Sequence, residues 1–193
     1  MSTSAWRPVL DFWFLPESAP GHGKSRPEWF RKDPAFDALI RQRFGEAISR
    51  ALAGEFVEWD GDPRGALVRI ILLDQFTRNA FRDTPRAFAG DARALAAARA
   101  MVDSGRDRML APIERWFVYL PFEHAEDMAI QERAVALFNA LAVEPGLDDI
   151  ADYAVRHRDI IARFGRFPHR NRILGRDSTP EEIEFLKLPG SGF

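Results

Sequence analysis

Apolar residues recur at every third or fourth position along most of this chain, and the runs that keep this period have chemically explicit starts. In "DPAFDALIRQRFGEAISRAL", Asp33 stands as an N-cap before Pro34, and Phe36, Leu39, Ile40, Phe44, Ala47, Ile48, Ala51 and Leu52 share one helical face. The same signal opens "DPRGALVRIILLDQFTRN" at Asp62 and Pro63. It opens "TPRAFAGDARALAAARAMVDSG" at Thr84 and Pro85, and this helix is expected to run to Gly105. After Pro112 a helical run through "IERWFVYL" meets Pro121, which is expected to kink or restart it. The pattern continues through "FEHAEDMAIQERAVALFNAL" to a break at Pro145 and Gly146, and a further helix over 147–164 closes at Gly165. Ser178 and Thr179 precede "PEEIEFLKL", where Glu181 and Glu182 are placed for a capping box, so a short last helix is expected. No segment alternates with period two. The expected fold class is therefore all-α, in a single domain over 1–193 with one long loop at 16–28 and a loose tail at 189–193.

Several of these helices carry polar residues on the face that should be apolar. Leu67, Ile71, Asp74, Arg78 and Phe81 step by four and three, so Asp74 and Arg78 continue the buried seam. Leu120, His124, Asp127, Gln131, Ala134, Phe138 and Leu141 step the same way, as do Ile150, Ala154, His157, Ile161 and Phe164. A buried polar group without a partner costs about 1–3 kcal/mol, and a charge costs more. These groups must therefore meet one another, water or a ligand.

Composition narrows the function classes. A chain of 193 residues with 46% hydrophobic content suffices for one well-buried core and is short for two. A formal net charge of −2 argues against a protein that coats nucleic acid. With no cysteine there is no disulfide, thiol chemistry or cysteine-ligated zinc, which suits a reducing cytoplasm. The N-terminus lacks a signal-peptide pattern, and no stretch approaches the ~18 apolar residues of a membrane span, so a cytoplasmic location without membrane or nucleic-acid partners is expected. "GHGKS" within the long loop resembles the end of a phosphate-binding loop. Ser18 stands where that motif needs glycine, however, and Pro27 follows where its helix should start.

Against the acidic balance, "RFGRFPHRNRILGR" at 163–176 holds five arginines and no carboxylate. One reading makes it a clasp, with Arg163, Arg166, Arg170 and Arg172 neutralising Asp74, Glu123, Glu126 or Asp127. The other reading leaves a pocket with surplus arginine and with His124, His157 and His169 as proton carriers, suited to a small anion or carboxylate. Its candidate ligand-binding residues are Asp74, Gln75, Arg78, Asn79, Glu123, His124, Asp127, Gln131, Arg166, His169, Arg170 and Asn171, with His124, His169 and Asp127 as catalytic candidates. Each has a plainer explanation: Asp74 and Arg78 form an i,i+4 ion pair, and His157 is a satisfied core histidine. "EHAED" matches neither a zinc-protease motif nor a calcium loop, so no metal and no cofactor are expected. Trp6, Trp13, Phe14, Trp29, Phe30, Trp116 and Phe117 read mostly as core packing.

The stretches "VLDFWF" at 9–14, "EWF" at 28–30, "ILLDQFTRNAFR" at 71–82, "LPFEHAEDMAIQ" at 120–131 and "RFGRFPHRN" at 163–171 together resemble the bacterial family called domain of unknown function 924. The resemblance covers nearly the whole chain. It implies a compact domain of stacked antiparallel helix hairpins, similar to the tetratricopeptide-like superfamily, and supplies no reaction, cofactor or catalytic residue. It also opens a second reading, a peptide-binding module whose groove is lined by Arg78, Asn79, Arg166 and Asn171 and grips a carboxylate. A third is an acid–base enzyme acting on an anionic metabolite, with His124 or His169 near a carboxylate. No nucleophile motif is evident, and the oligomeric state is not legible in the sequence.

Overall fold

A computed structural model describes residues 5–192, and among them every regular element is helical. The α-helices are α1 (Arg7–Phe14), α2 (Pro34–Leu52), α3 (Pro63–Ala80), α4 (Asp91–Asp103), α5 (Pro112–Glu123), α6 (Met128–Leu141), α7 (Ile150–Phe164), α8 (Asn171–Leu174) and α9 (Pro180–Phe185). Each long helix from α2 to α7 packs on its neighbour in sequence, and α3 also packs on α5. Short connections leave consecutive helices little alternative but to fold back as hairpins.

Helix α3 is the centre of the molecule. All its residues except Pro63, Arg64 and Arg78 are buried, as expected of a helix covered on every side. Its start is held by Asp62, whose Oδ1 accepts from the amides of Arg64 at 2.8 Å and Gly65 at 3.1 Å. An aromatic cluster joins α1, α3 and α5, with Trp13 fully buried at 5.4 Å from Phe76 and 5.5 Å from Phe117 between ring centroids. The long loop returns to this cluster through Arg26, which donates to the carbonyls of Phe12 and Trp13 at the end of α1. Its "GHGKS" stretch forms turns that lead into a single 3-10 turn at Pro27–Trp29.

Two element boundaries differ from the sequence expectation. The helix expected over Thr84–Gly105 is a 3-10 turn at Pro85–Phe88 followed by α4 from Asp91. The cause is Gly90, where a Cβ would lie 2.1 Å from the Leu73 carbonyl oxygen, so the chain turns as it crosses the α3 backbone. Pro121 neither ends nor restarts α5, which continues to Glu123 although the proline has no N–H to offer the Phe117 carbonyl one turn earlier. The break falls instead at His124–Asp127, and Asp127 caps α6 by accepting from the Ile130 amide at 3.0 Å. The expected seam from Leu120 through His124 and Asp127 to Gln131 is thus split between two helices. At the C-terminal end, Thr179 and Glu182 form the expected capping box of α9. Phe193, at the end of the expected loose tail, lies outside the described residues. Ser191 is buried and donates to the Leu186 carbonyl.

Candidate functional site

Asp74 on α3 is fully buried, and because α3 packs on α5 it meets His124 at the C-cap of α5. His124 Nδ1 lies 2.7 Å from Asp74 Oδ1. The same oxygen receives Arg78 Nη1 at 3.0 Å, and Oδ2 accepts from Gln75 Nε2 at 2.5 Å. Arg78 extends its fork to Asp91, donating to both carboxylate oxygens at 2.9 and 3.1 Å. The close passage of Gly90 over Leu73 places Asp91, the first residue of α4, beside the turn of α3 that carries Asp74 and Arg78.

A second carboxylate–histidine pair lies next to the first. Glu123, the last residue of α5, is buried with Oε1 3.0 Å from His157 Nδ1 on α7. The same nitrogen is 2.8 Å from the Tyr153 carbonyl oxygen. A carbonyl can only accept, so Nδ1 carries the proton and donates to the Tyr153 oxygen, with Glu123 Oε1 close beside it. Glu123 Oε2 is buried and has no hydrogen-bond partner among the described residues. The His124 and His157 rings stand edge to face, 6.2 Å apart.

Arg170 closes the cluster from the loop after α7. Its guanidinium lies 4.5 Å from the Phe167 ring centroid and 4.8 Å from that of Phe88, which also sits beneath Arg78. Its contact with an acid is long, 3.4 Å to Asp91 Oδ2, and its Nε is buried without a partner among the described residues. The His169 ring is tilted against Phe167, with 5.7 Å between centroids. The assembly reaches the surface through His124, Arg78 and Asp91, whose side chains are 14%, 20% and 24% exposed.

The two carboxyls are driven in opposite directions. Burial disfavours charge on both, but Arg78, His124 and Gln75 overcome it at Asp74 and hold that carboxyl below the usual carboxylate range. At Glu123 burial is unopposed and the Asp74 charge adds to it, pushing the carboxyl up to about 8. Glu123 is therefore a neutral acid at neutral pH. Burial, reinforced by neighbouring positive charge, lowers His157 to about 3 and His169 to about 4. Burial and the nearby Arg78 lower Arg170 to about 10. His124 is also lowered, by burial and Arg78, against the pull of Asp74.

A family model described as a bacterial protein of unknown function, DUF924, matches residues 9–190. This chain belongs to the DUF924 family. The DUF924 chain is also similar to a solved structure, the protein of unknown function ATU0120 from Agrobacterium tumefaciens. The two are 39% identical, with 94% of this chain and 96% of that chain covered and a TM-score of 0.82. No curated protein matches.

In this DUF924 protein the structure brings together Asp74, Gln75, Arg78, Glu123, His124, His169 and Arg170 from the sequence candidates. It sends the others elsewhere. Asp127 is an exposed N-cap, because the helix break at 124–127 turns it away from the seam. Gln131 is buried and staples the same break, donating to the carbonyls of Glu123 and Ala125 at 2.7 Å. Asn79 donates to Asp37 of α2 at 2.8 Å, on an oxygen it shares with Arg82. Arg166 holds Glu182 with two bonds of 2.7 and 2.8 Å, and Asn171 donates to the same carboxylate at 3.2 Å.

The basic loop thus splits between both readings. Arg163 pairs with Glu181, Arg166 with Glu182 and Arg176 with Glu126, so the clasp binds the C-terminal helix and the α5–α6 turn rather than Asp74, Glu123 or Asp127. Arg172 is exposed, and Arg170 alone enters the cluster. Asp91, Phe88 and Phe167 escaped the sequence reading, which placed the first two inside a continuous helix. The Gly90–Asp91 pair before an apolar run was the available signal for a helix start there. Two surface grooves of 560 and 440 Å³ lie along α1 and α2 around Pro8 and Arg43, and none of their lining residues belongs to the cluster.

Proposed function

We propose that this protein binds a small anion, foremost a small carboxylate, at the Arg170 end of the buried cluster. The observation that supports this reading is Arg170 itself. A buried guanidinium normally has its charge and its five N–H groups matched by acceptors. Here its direct contact with an acid among the described residues is long, that acid is already held by both nitrogens of the Arg78 fork, and Nε has no acceptor among the described residues. Burial and the Arg78 charge depress Arg170 to about 10 despite the acids nearby. A carboxylate or phosphate entering beside Arg78 and His124 would fill it. The residues expected to line a peptide groove are committed to separate acids: Asn79 to Asp37, Arg166 and Asn171 to Glu182, and Arg78 to Asp74 and Asp91. This favours a small ligand over a peptide.

Thermal-shift measurements with phosphate, sulfate, acetate, short dicarboxylates and 2-oxo carboxylates test the reading. A ligand at one hundred times its dissociation constant adds about 2.7 kcal/mol to stability. The gain should disappear in Arg170→Gln and persist in Arg163→Gln, whose arginine serves α9. Stabilisation by none of these anions, or an equal response from both variants, refutes the proposal. Stabilisation only by a peptide with a C-terminal carboxylate would move the reading to a peptide-binding module.

A further inference from the structure

Two carboxylate–histidine pairs side by side do more than hold helices together. In the Asp74–His124 pair the carboxylate is ionised, so His124 Nδ1 carries the proton and donates at 2.7 Å. That fixes the tautomer in which Nε2 keeps its lone pair on a ring that is partly open to solvent. In the Glu123–His157 pair the histidine N–H is given to Tyr153 O, with Glu123 Oε1 3.0 Å from the same nitrogen. Glu123 Oε2 is buried and has no partner among the described residues, so an acidic proton carried there has no acceptor among them. The cluster thus offers a positioned base at His124 Nε2, a positioned acid at Glu123 Oε2 and an undermatched cation at Arg170. Glu123 and His124 are adjacent in the chain, and the two imidazole rings are 6.2 Å apart.

We propose that Glu123 and His124 are the general acid and general base of a proton-transfer enzyme acting on a 2-oxo carboxylate. The substrate class follows from complementarity. Its carboxylate suits Arg170, its carbonyl oxygen supplies the acceptor that Glu123 Oε2 lacks, and the carbon beyond the carbonyl carries a proton for His124 to take. In the step, the C–H bond breaks and its proton passes to His124 Nε2. The C–H electron pair becomes the new C=C bond, the carbonyl π pair moves to oxygen, and that oxygen takes the Glu123 proton. The products are an enol, an imidazolium and a carboxylate. No oxidant, reductant or second substrate is consumed. Two carboxyls in contact with different environments, one held ionised and the other neutral, form the arrangement that separates such roles at a single pH. Asp74 acts as a positioning residue for His124, and His157 as one for Glu123.

This inference rests on the anion-binding reading, and the test separates the two. Pyruvate and 2-oxoglutarate are incubated with the protein in D2O at neutral pH, and loss of the proton signal next to the carbonyl is followed by NMR. Reversal of the step after His124 exchanges with solvent leaves deuterium on carbon. The expected exchange exceeds the protein-free rate at least tenfold, and its protein-dependent part falls about 100-fold in His124→Asn and Glu123→Gln, the usual scale of a general acid or base contribution. Calorimetric titration and thermal melts of both variants report binding and folding in parallel. If a 2-oxo acid binds in an Arg170-dependent manner but exchanges at the protein-free rate, or if folded His124→Asn exchanges as fast as the parent, the proposal is overturned while the anion site stands. If neither 2-oxo acid binds, the proposal is overturned as well, and failure of the wider anion panel would remove the site itself.

Discussion

His124 stands edge-on to His157, with 6.2 Å between ring centroids, and each ring is tied to a carboxylate of opposite protonation. This makes stability depend on pH from both sides. Glu123 keeps its proton up to about 8, above the ordinary glutamate value, so its contribution is full below the unfolded pKa and is lost as pH rises towards 8. His157 at about 3 and His169 at about 4 stay neutral in the fold. Below the ordinary histidine value the unfolded chain takes up protons that the folded chain refuses, and stability falls with pH. Together these groups place the optimum near about pH 6.5. Urea unfolding at pH 6.5 and pH 8 should show a loss of about 1.4 kcal/mol per pH unit on the alkaline side. Glu123→Gln should remove that slope, and an unchanged slope in the variant would assign it to another group.

Asp74 is the point at which α3 and α5 are joined by charge. Asp74→Ala should destabilise by about 3–5 kcal/mol in denaturant melts, because Arg78 and His124 lose their shared acceptor in a buried setting. Asp74→Asn should cost less and keep the His124 tautomer, since the amide oxygen can still accept from both Arg78 and His124. Nitrogen-resolved NMR of labelled histidine reads the tautomer directly. A His124 proton on Nε2 in the parent protein would contradict the pairing.

Gly90→Ala tests how the Arg78–Asp91 link is built. The added methyl would sit 2.1 Å from the Leu73 carbonyl oxygen, and backbone cannot yield as a flexible side chain does. The expected cost is about 1–3 kcal/mol or more, with the start of α4 displaced and the Arg78 fork opened. A crystal structure of the variant with Asp91 still on Arg78 would show that another contact sets this geometry.

Arg166 and Arg170 are four residues apart and serve different ends. Arg166 holds the Glu182 carboxyl well below its ordinary value, near about 2, through direct hydrogen bonding. Arg166→Ala should therefore speed amide hydrogen exchange across 171–186 while leaving anion-induced stabilisation intact. Arg170→Gln should do the converse. If either variant produced both effects, the division of the basic loop into a clasp and a site would fail.

The sequence by itself determined the all-helical class and most helix starts, because caps such as Asp33, Asp62 and Thr179 and the 3.6-residue period are local properties that no distant contact has to supply. It also marked Asp74, Arg78 and His124 as polar groups on a buried seam, with Glu123 named only as an acid within reach of the arginines. Only the tertiary structure decided which of them meet. Gln131 and Asp127 lie on the same projected face as His124, yet the break at 124–127 gives one to a turn and the other to a cap. Asp91 became the partner of Arg78 through the approach of Gly90 to Leu73, a contact between residues 17 positions apart. Five arginines in one stretch are alike in sequence, and what distinguishes Arg170 is that the fold buries it between two phenylalanine rings while Arg163, Arg166 and Arg176 are held closely by Glu181, Glu182 and Glu126. Burial also separates Glu123 from Asp74 in charge, since a carboxyl's protonation depends on the neighbours that surround it after folding.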